Sequence, residues 1–164
     1  MVVPFHTFLF ADLCGYTEYT WLYGDDRSAD LAVGFHALVR DLAQEEHCEF
    51  VKAIGDAVMV RAANCEQAIT LAHRIHAEMR QLGFPPVRIG IDTGTAVARD
   101  GDWYGTTVNR AARVAEAAEP GELLLTERAH AAALENGAVE VIDRGSRPLK
   151  GLPDCPLHAA LAAA

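Results

Sequence analysis

Short apolar runs alternate along this chain with longer stretches whose apolar residues recur at helical spacing. Phe5 to Ala11 (FHTFLFA) is short, apolar and aromatic and predicts a buried strand, ended by Asp12. Glu18 to Tyr23 predicts a short helix. From Ser28 to Glu45, residues Leu31, Val33, Phe35, Leu38, Val39 and Leu42 form a broad helical stripe. Glu49 to Lys52 and Ala57 to Ala62 predict two strands joined through Gly55-Asp56, a dipeptide that commonly turns a hairpin. Asn64 caps a helix to about Gln81, with Ile69, Leu71, Ala72, Ile75 and Met79 inward.

Gly83-Phe84-Pro85-Pro86 breaks that helix. Val87 to Thr93 alternates as a strand does, and Gly94 to Ala98 continues it. Beyond the polar turn at Arg99 to Asp102, a helix runs from Thr106 to Ala118 and stops at Glu119-Pro120-Gly121. Leu123 to Leu125 predicts a strand, Thr126 caps a helix to about Leu134, and Val139 to Ile142 predicts another strand. Arg147 to Leu152 is a loop or strand end, and Pro156 to Leu161 is the last strand. This order predicts an α+β fold. Its core is of ferredoxin-like βαββαβ type, with a mainly antiparallel sheet and flanking helices largely on one face. Nothing in the 164 residues suggests a linker or repeat, so residues 1–164 read as one domain.

Composition narrows the function. A net charge of −9 argues against nucleic acid as a partner, because a phosphate-backbone binder shows a basic face. It leaves nucleotide substrates open, since metal ions reconcile carboxylates with phosphates. The four cysteines, at 14, 48, 65 and 155, contain no C-x-x-C pair, so neither a zinc site nor a dithiol motif is indicated. Reduced thiols in a cytoplasmic protein are the simplest reading. The apolar start lacks a basic leader and stops at Asp12, so no signal peptide or membrane segment is expected.

Three stretches carry candidate chemistry. Asp12-Leu13-Cys14-Gly15-Tyr16-Thr17 is a strand end, a Gly turn and a helix start. It either cradles an anion with backbone amides or merely caps a helix. Gly55-Asp56, braced by apolar strands, is a plain hairpin turn or a fixed carboxylate for a metal ion. Asn109 and Arg113 stand four apart on one helix face, where they clamp a phosphate or sit solvated. His73 and His76 are three apart on a helix, but no third ligand accompanies them.

Taken together, these stretches resemble the class III nucleotide cyclases, in particular the compact adenylyl cyclase domains of mycobacteria. The resemblance is carried by Phe10 to Thr17, Lys52-Ala53-Ile54-Gly55-Asp56, Asp102-Trp103-Tyr104-Gly105, Val108 to Arg113 and Leu149-Lys150-Gly151. It covers almost the whole chain in the family's order. It implies conversion of ATP to 3′,5′-cyclic AMP and pyrophosphate, with two divalent ions, Mg²⁺ or Mn²⁺, as cofactors. Asp12, Asp56 and the Leu13 carbonyl become metal ligands, and the amides of Gly15, Tyr16 and Thr17 hold the triphosphate. Lys52 and Asp102 select the purine, and Asn109 and Arg113 orient the ribose and stabilise the transition state. Lys150 contacts the terminal phosphates.

Hydrogen-bond chemistry supports adenine. Asp102 accepts from N6 and Lys52 donates to N1, whereas guanine presents the opposite pattern. The resemblance also implies a head-to-tail homodimer with the active sites at its interface, because Lys52 and Asp56 lie four residues apart yet serve opposite ends of one nucleotide. The alternatives are a guanylyl cyclase, opposed by Lys52 and Asp102, and an inactive nucleotide-binding domain of the same fold. A different two-metal enzyme on a related fold, such as a polymerase palm, is opposed by the Asp102 turn and the Asn109/Arg113 helix.

Overall fold

In the computed structural model, which describes residues 3–137 and 139–162, strand β1 (His6–Leu13) runs near the middle of a seven-stranded sheet. Helices α1 (Tyr16–Tyr23) and α2 (Asp25–Glu45) follow, then the hairpin β2 (Glu49–Ile54) and β3 (Ala57–Ala62). Helix α3 (Cys65–Gln81) leads to β4 (Val87–Gly94) and to a small hairpin, β5 (Val97–Arg99) with β6 (Asp102–Tyr104). The chain continues through α4 (Thr106–Ala117), β7 (Leu123–Thr126), α5 (Glu127–Asn136), β8 (Val141–Leu149) and β9 (Leu152–Ala160). The sheet order is β2-β3-β1-β4-β7-β9-β8, and among the described residues only the β4–β7 pairing is parallel. This is the expected α+β fold. No helix among the described residues is long and apolar enough to cross a membrane.

Alternation along β1 builds two cores. Leu9, Ala11 and Leu13 face a large cluster with Phe35 and Val39 of α2 and Leu71 and Ile75 of α3. Phe8 and Phe10 face the opposite side, against Met59 and the Val108, Ala111 and Ala115 surface of α4. A fully buried Phe or Leu side chain contributes about 1.5–3 kcal/mol, so both faces hold the sheet. Two caps match the sequence reading. Asn64 Oδ1 accepts from Gln67 N–H at 2.9 Å, and Thr126 Oγ1 accepts from Ala129 N–H at 3.2 Å.

As expected, the helices lie largely on one face: α2, α3 and α5 pack on the large cluster, with Tyr16 and Tyr19 of α1 against it, while α4 covers the opposite face. Other expectations need correction. Val33 lies off the buried stripe of α2 and is 65% exposed. β1 runs past Asp12 to Leu13, and α1 and α2 each begin earlier than their apolar residues indicate. β4 ends at Gly94, and Val97–Arg99 belongs to a separate two-stranded sheet. Arg147–Leu149 is the end of strand β8, which starts at Val141, and the last strand begins at Leu152.

Candidate active site

Backbone hydrogen bonds set the loop after β1. Leu13 N–H donates to Asp56 C=O at 3.2 Å, and Cys14 N–H donates to Pro86 C=O at 2.9 Å. Gly15 has φ +68°, a left-handed conformation that favours glycine, and no side chain caps α1. The first intrahelical bond is Tyr19 N–H to Gly15 C=O at 2.9 Å. The amides of Tyr16 and Thr17 therefore have no partner within the helix. A cavity of about 370 Å³ adjoins this loop, bounded by Gly15, Arg88 and the end of α4.

Asp12 and Asp56 meet here. Asp12 stands across from Ala57 on β3 and Arg88 on β4. Asp56 follows Gly55 (φ +60°) in the β2–β3 turn. His36 of α2 donates from Nε2 to Gly55 C=O at 2.9 Å and braces that turn. Burial raises the Asp56 carboxyl above its ordinary range, and the adjacent Asp12 charge raises it further. Two close carboxylates beside unpartnered amides form an oxygen donor set that suits a hard divalent cation.

Arg88 is the residue that sequence reading missed. Its Nη2 and Nε donate to Asp12 Oδ2 at 2.7 and 3.1 Å, and its Nη1 donates to Glu116 C=O at 3.0 Å. In the alternating run VRIGIDT it looks like any outward polar residue. Only the β1–β4 register places it opposite Asp12.

The second group gathers around the β5–β6 hairpin. Lys52 Nζ donates to Asp102 Oδ2 at 2.5 Å, which holds the Asp102 carboxyl below its ordinary range. Asn109 is exposed on α4. One turn later, Arg113 Nη1 donates to both oxygens of Glu116, at 2.9 and 3.0 Å. Lys150 is exposed in the turn between β8 and β9. Thus Asp12 joins Asp56 and Arg88, Lys52 joins Asp102, and no hydrogen bond among the described residues links these two groups.

Residues 5–159 match the profile of the adenylate and guanylate cyclase catalytic domain. The chain belongs to that family. This nucleotide cyclase domain is 33% identical over 150 residues to a pH-sensitive adenylate cyclase of Mycobacterium tuberculosis, covering 89% of this chain and 38% of the relative. It is 35% identical over 123 residues to an adenylate cyclase of Streptomyces griseus, covering 74% and 31%. The cyclase domain thus spans about a third of the length of these relatives. The crystal structure of the adenylyl cyclase CyaB from P. aeruginosa superposes with a TM-score of 0.86 at 20% identity, covering 99% of this chain and 96% of that one. At that identity the likeness shows the shared fold.

Proposed function

We propose that this domain cyclises ATP to 3′,5′-cyclic AMP, releasing pyrophosphate, at two equivalent sites shared by two copies of the chain. The Lys52–Asp102 pair carries this reading. It presents one donor and one acceptor at a fixed spacing, which complements N1 and N6 of adenine. The relatives named adenylate cyclase favour the same base.

The ribose 3′-hydroxyl gives its proton to solvent, its oxygen bonds to the α-phosphorus, and the bond from that phosphorus to the bridging oxygen breaks, so that pyrophosphate leaves. Asn109 orients the ribose, and Arg113 offsets charge on the transferring oxygens, where a positioned guanidinium is worth most. To reach them, Arg113 exchanges its Glu116 contact for the nucleotide. The amides of Gly15, Tyr16 and Thr17, with Arg88 and Lys150, hold the triphosphate. Asp12, Asp56 and the Leu13 carbonyl would hold two Mg²⁺ or Mn²⁺ ions, which when bound would neutralise the triphosphate and acidify the 3′-hydroxyl.

A dimer suits the surface of α1. None of its residues is buried, and Trp21 and Leu22 are 86% and 75% exposed immediately after the triphosphate loop. Adjacent large apolar side chains of this kind mark an interaction surface, here assigned to a second copy of the chain. Use of ATP as substrate would suit a cytoplasmic location.

The test is product identification by chromatography after incubation with ATP or GTP and either metal, across protein concentration. Cyclic AMP and pyrophosphate from ATP are expected. Preferential cyclic GMP would make the domain a guanylyl cyclase. No product with either metal would make it a nucleotide-binding module.

A further inference from the structure

The β5–β6 hairpin carries Asp102 but pairs with no strand of the seven-stranded sheet. Side chains must therefore fix its position. One link is the Lys52–Asp102 ion pair. The Lys52 side chain is 41% exposed, and an exposed ion pair contributes only about 0.2–1 kcal/mol. That is too little to hold a three-residue strand in register.

A second link lies beside it. The indole Nε1–H of Trp103 donates to Glu49 Oε2 at 3.1 Å, and Arg61 Nε donates to the same oxygen at 2.7 Å. The indole ring is packed on several sides. The His6 ring lies 4.5 Å away, the Phe8 ring meets it edge-on at 5.8 Å, and the Arg61 guanidinium carbon lies 5.1 Å from its centre. Arg61 Nη1 donates to His6 Nδ1 at 3.3 Å. Strands β1, β2 and β3 therefore all hold this one side chain. The Trp103 amide in turn donates to Asp102 Oδ1 at 2.8 Å, so the ring and the carboxylate are tied together.

A β-bulge makes the double link possible. Glu49 stands opposite Arg61 and Lys52 opposite Met59, with the register shifting between Phe50 and Lys52. In an unbroken strand, residues three apart face opposite sides of the sheet. The extra residue turns Lys52 onto the face that Glu49, Met59 and Arg61 share. Glu49 and Lys52 then reach Trp103 and Asp102, two neighbours on β6.

We propose that Glu49, Arg61 and Trp103 form a clamp that sets Asp102 against Lys52, making Glu49 and Trp103 positioning residues for the choice of adenine over guanine. The selectivity part rests on the ATP reading above. Recognition of a base edge needs its donor and acceptor held within about 0.5 Å, and the clamp supplies that constraint through the Trp103 ring and amide.

Trp103→Phe keeps an aromatic ring in the stack and removes the indole N–H. Glu49→Ala removes the acceptor, and Glu49→Gln restores a neutral one. Carboxyl ¹³C NMR on the nucleotide-free protein follows the Asp102 titration. In the unmodified chain it should titrate below the ordinary range. In Trp103→Phe and Glu49→Ala it should move back towards that range, and Glu49→Gln should retain most of the depression. The ratio of kcat/KM for ATP over GTP should fall on the order of tenfold in the first two variants, mainly through KM for ATP. Glu49→Gln should recover most of that ratio.

A merely structural role would lower the Tm while leaving the Asp102 titration and the nucleotide ratio unchanged, and that result would overturn the clamp. The titration needs no nucleotide. Absence of cyclic AMP from the unmodified chain would count against the ATP reading, while the titration would still decide whether the clamp holds Asp102.

Discussion

Alanine at position 90 would drive a methyl group into the backbone of α4. Gly90 lies on β4 between Phe10 of β1 and Leu124 of β7. An added Cβ would lie 2.2 Å from Ala115 N, 2.7 Å from Val114 C and 2.8 Å from Ala111 O. Ordinary contact between such atoms is about 3.5–4.0 Å, so α4 must retreat by roughly 1 Å or more. The obstructing atoms are backbone, and no rotamer change relieves them. Overpacking of this kind costs about 1–3 kcal/mol. Because retreat also loosens Val108, Ala111, Val114 and Ala115, a loss of about 3 kcal/mol is expected for Gly90→Ala. In a domain of this size that lowers the Tm by roughly 6–12 °C. α4 also carries Asn109 and Arg113, and a displacement near 1 Å costs on the order of 10²-fold in rate. Thermal and urea unfolding, with the cyclase rate, measure both effects. Gly34→Ala serves as the control. It sits inside α2 with only the Phe84 ring nearby, at 3.9 Å, and alanine there should add about 0.5–1 kcal/mol. A Gly90→Ala protein with unchanged Tm and rate would refute the close approach of α4 to the sheet.

Two further predictions concern buried polar groups. Asp92 is fully buried and accepts from Thr126 Oγ1 (2.6 Å), Thr93 N–H (2.9 Å), Arg110 Nη1 (3.1 Å) and Arg128 Nη2 (3.2 Å). Asp92→Ala should cost about 1–3 kcal/mol in urea unfolding, because it leaves the buried Thr126 hydroxyl and Thr93 N–H without their acceptor; an unchanged midpoint would contradict this. Burial pushes the His76 imidazole down to about 4, although its Nε2 contact with Val87 C=O (3.1 Å) opposes the shift. The unfolded chain therefore binds the proton more readily, so this stability is complete above pH 6.5 and lost as pH falls towards 4, by about 3 kcal/mol. His76→Gln keeps a donor for Val87 and should flatten that part of the stability–pH curve; an identical slope would show that His76 does not set it.

Legibility from the sequence followed local pattern. Strands such as β1 and helices such as α3 announce themselves by apolar periodicity and by the Asn64 and Thr126 caps. The candidate site residues lie in compact local motifs, and those motifs carry the likeness to the family. What escaped depends on pairing between distant segments. Arg88 matters because it faces Asp12 across two strands, and Lys52 faces Trp103's hairpin because of a bulge that no residue of β2 signals. β8 carries a mostly exposed run, VIDRGSRPL, paired only with β9. An edge strand with polar residues and a proline has no apolar alternation to find. Tyr104 and Trp103 look like one aromatic turn in the sequence, yet the indole is held by three strands while Tyr104 is 54% exposed.

In the proposed dimer each nucleotide is held by two chains, the carboxylates Asp12 and Asp56 from one and Lys52, Asp102, Asn109 and Arg113 from the other. Mixing two dead variants tests it directly. Asp56→Ala and Arg113→Ala proteins should each lose on the order of 10²-fold or more in rate. A heterodimer of the two would contain one site with both lesions and one intact site. An equal mixture should therefore recover up to about a quarter of the unmodified rate, since about half of the dimers are mixed and each has one working site. Heterodimers demonstrated by native mass spectrometry, with no recovery of cyclic AMP formation, would contradict the shared site.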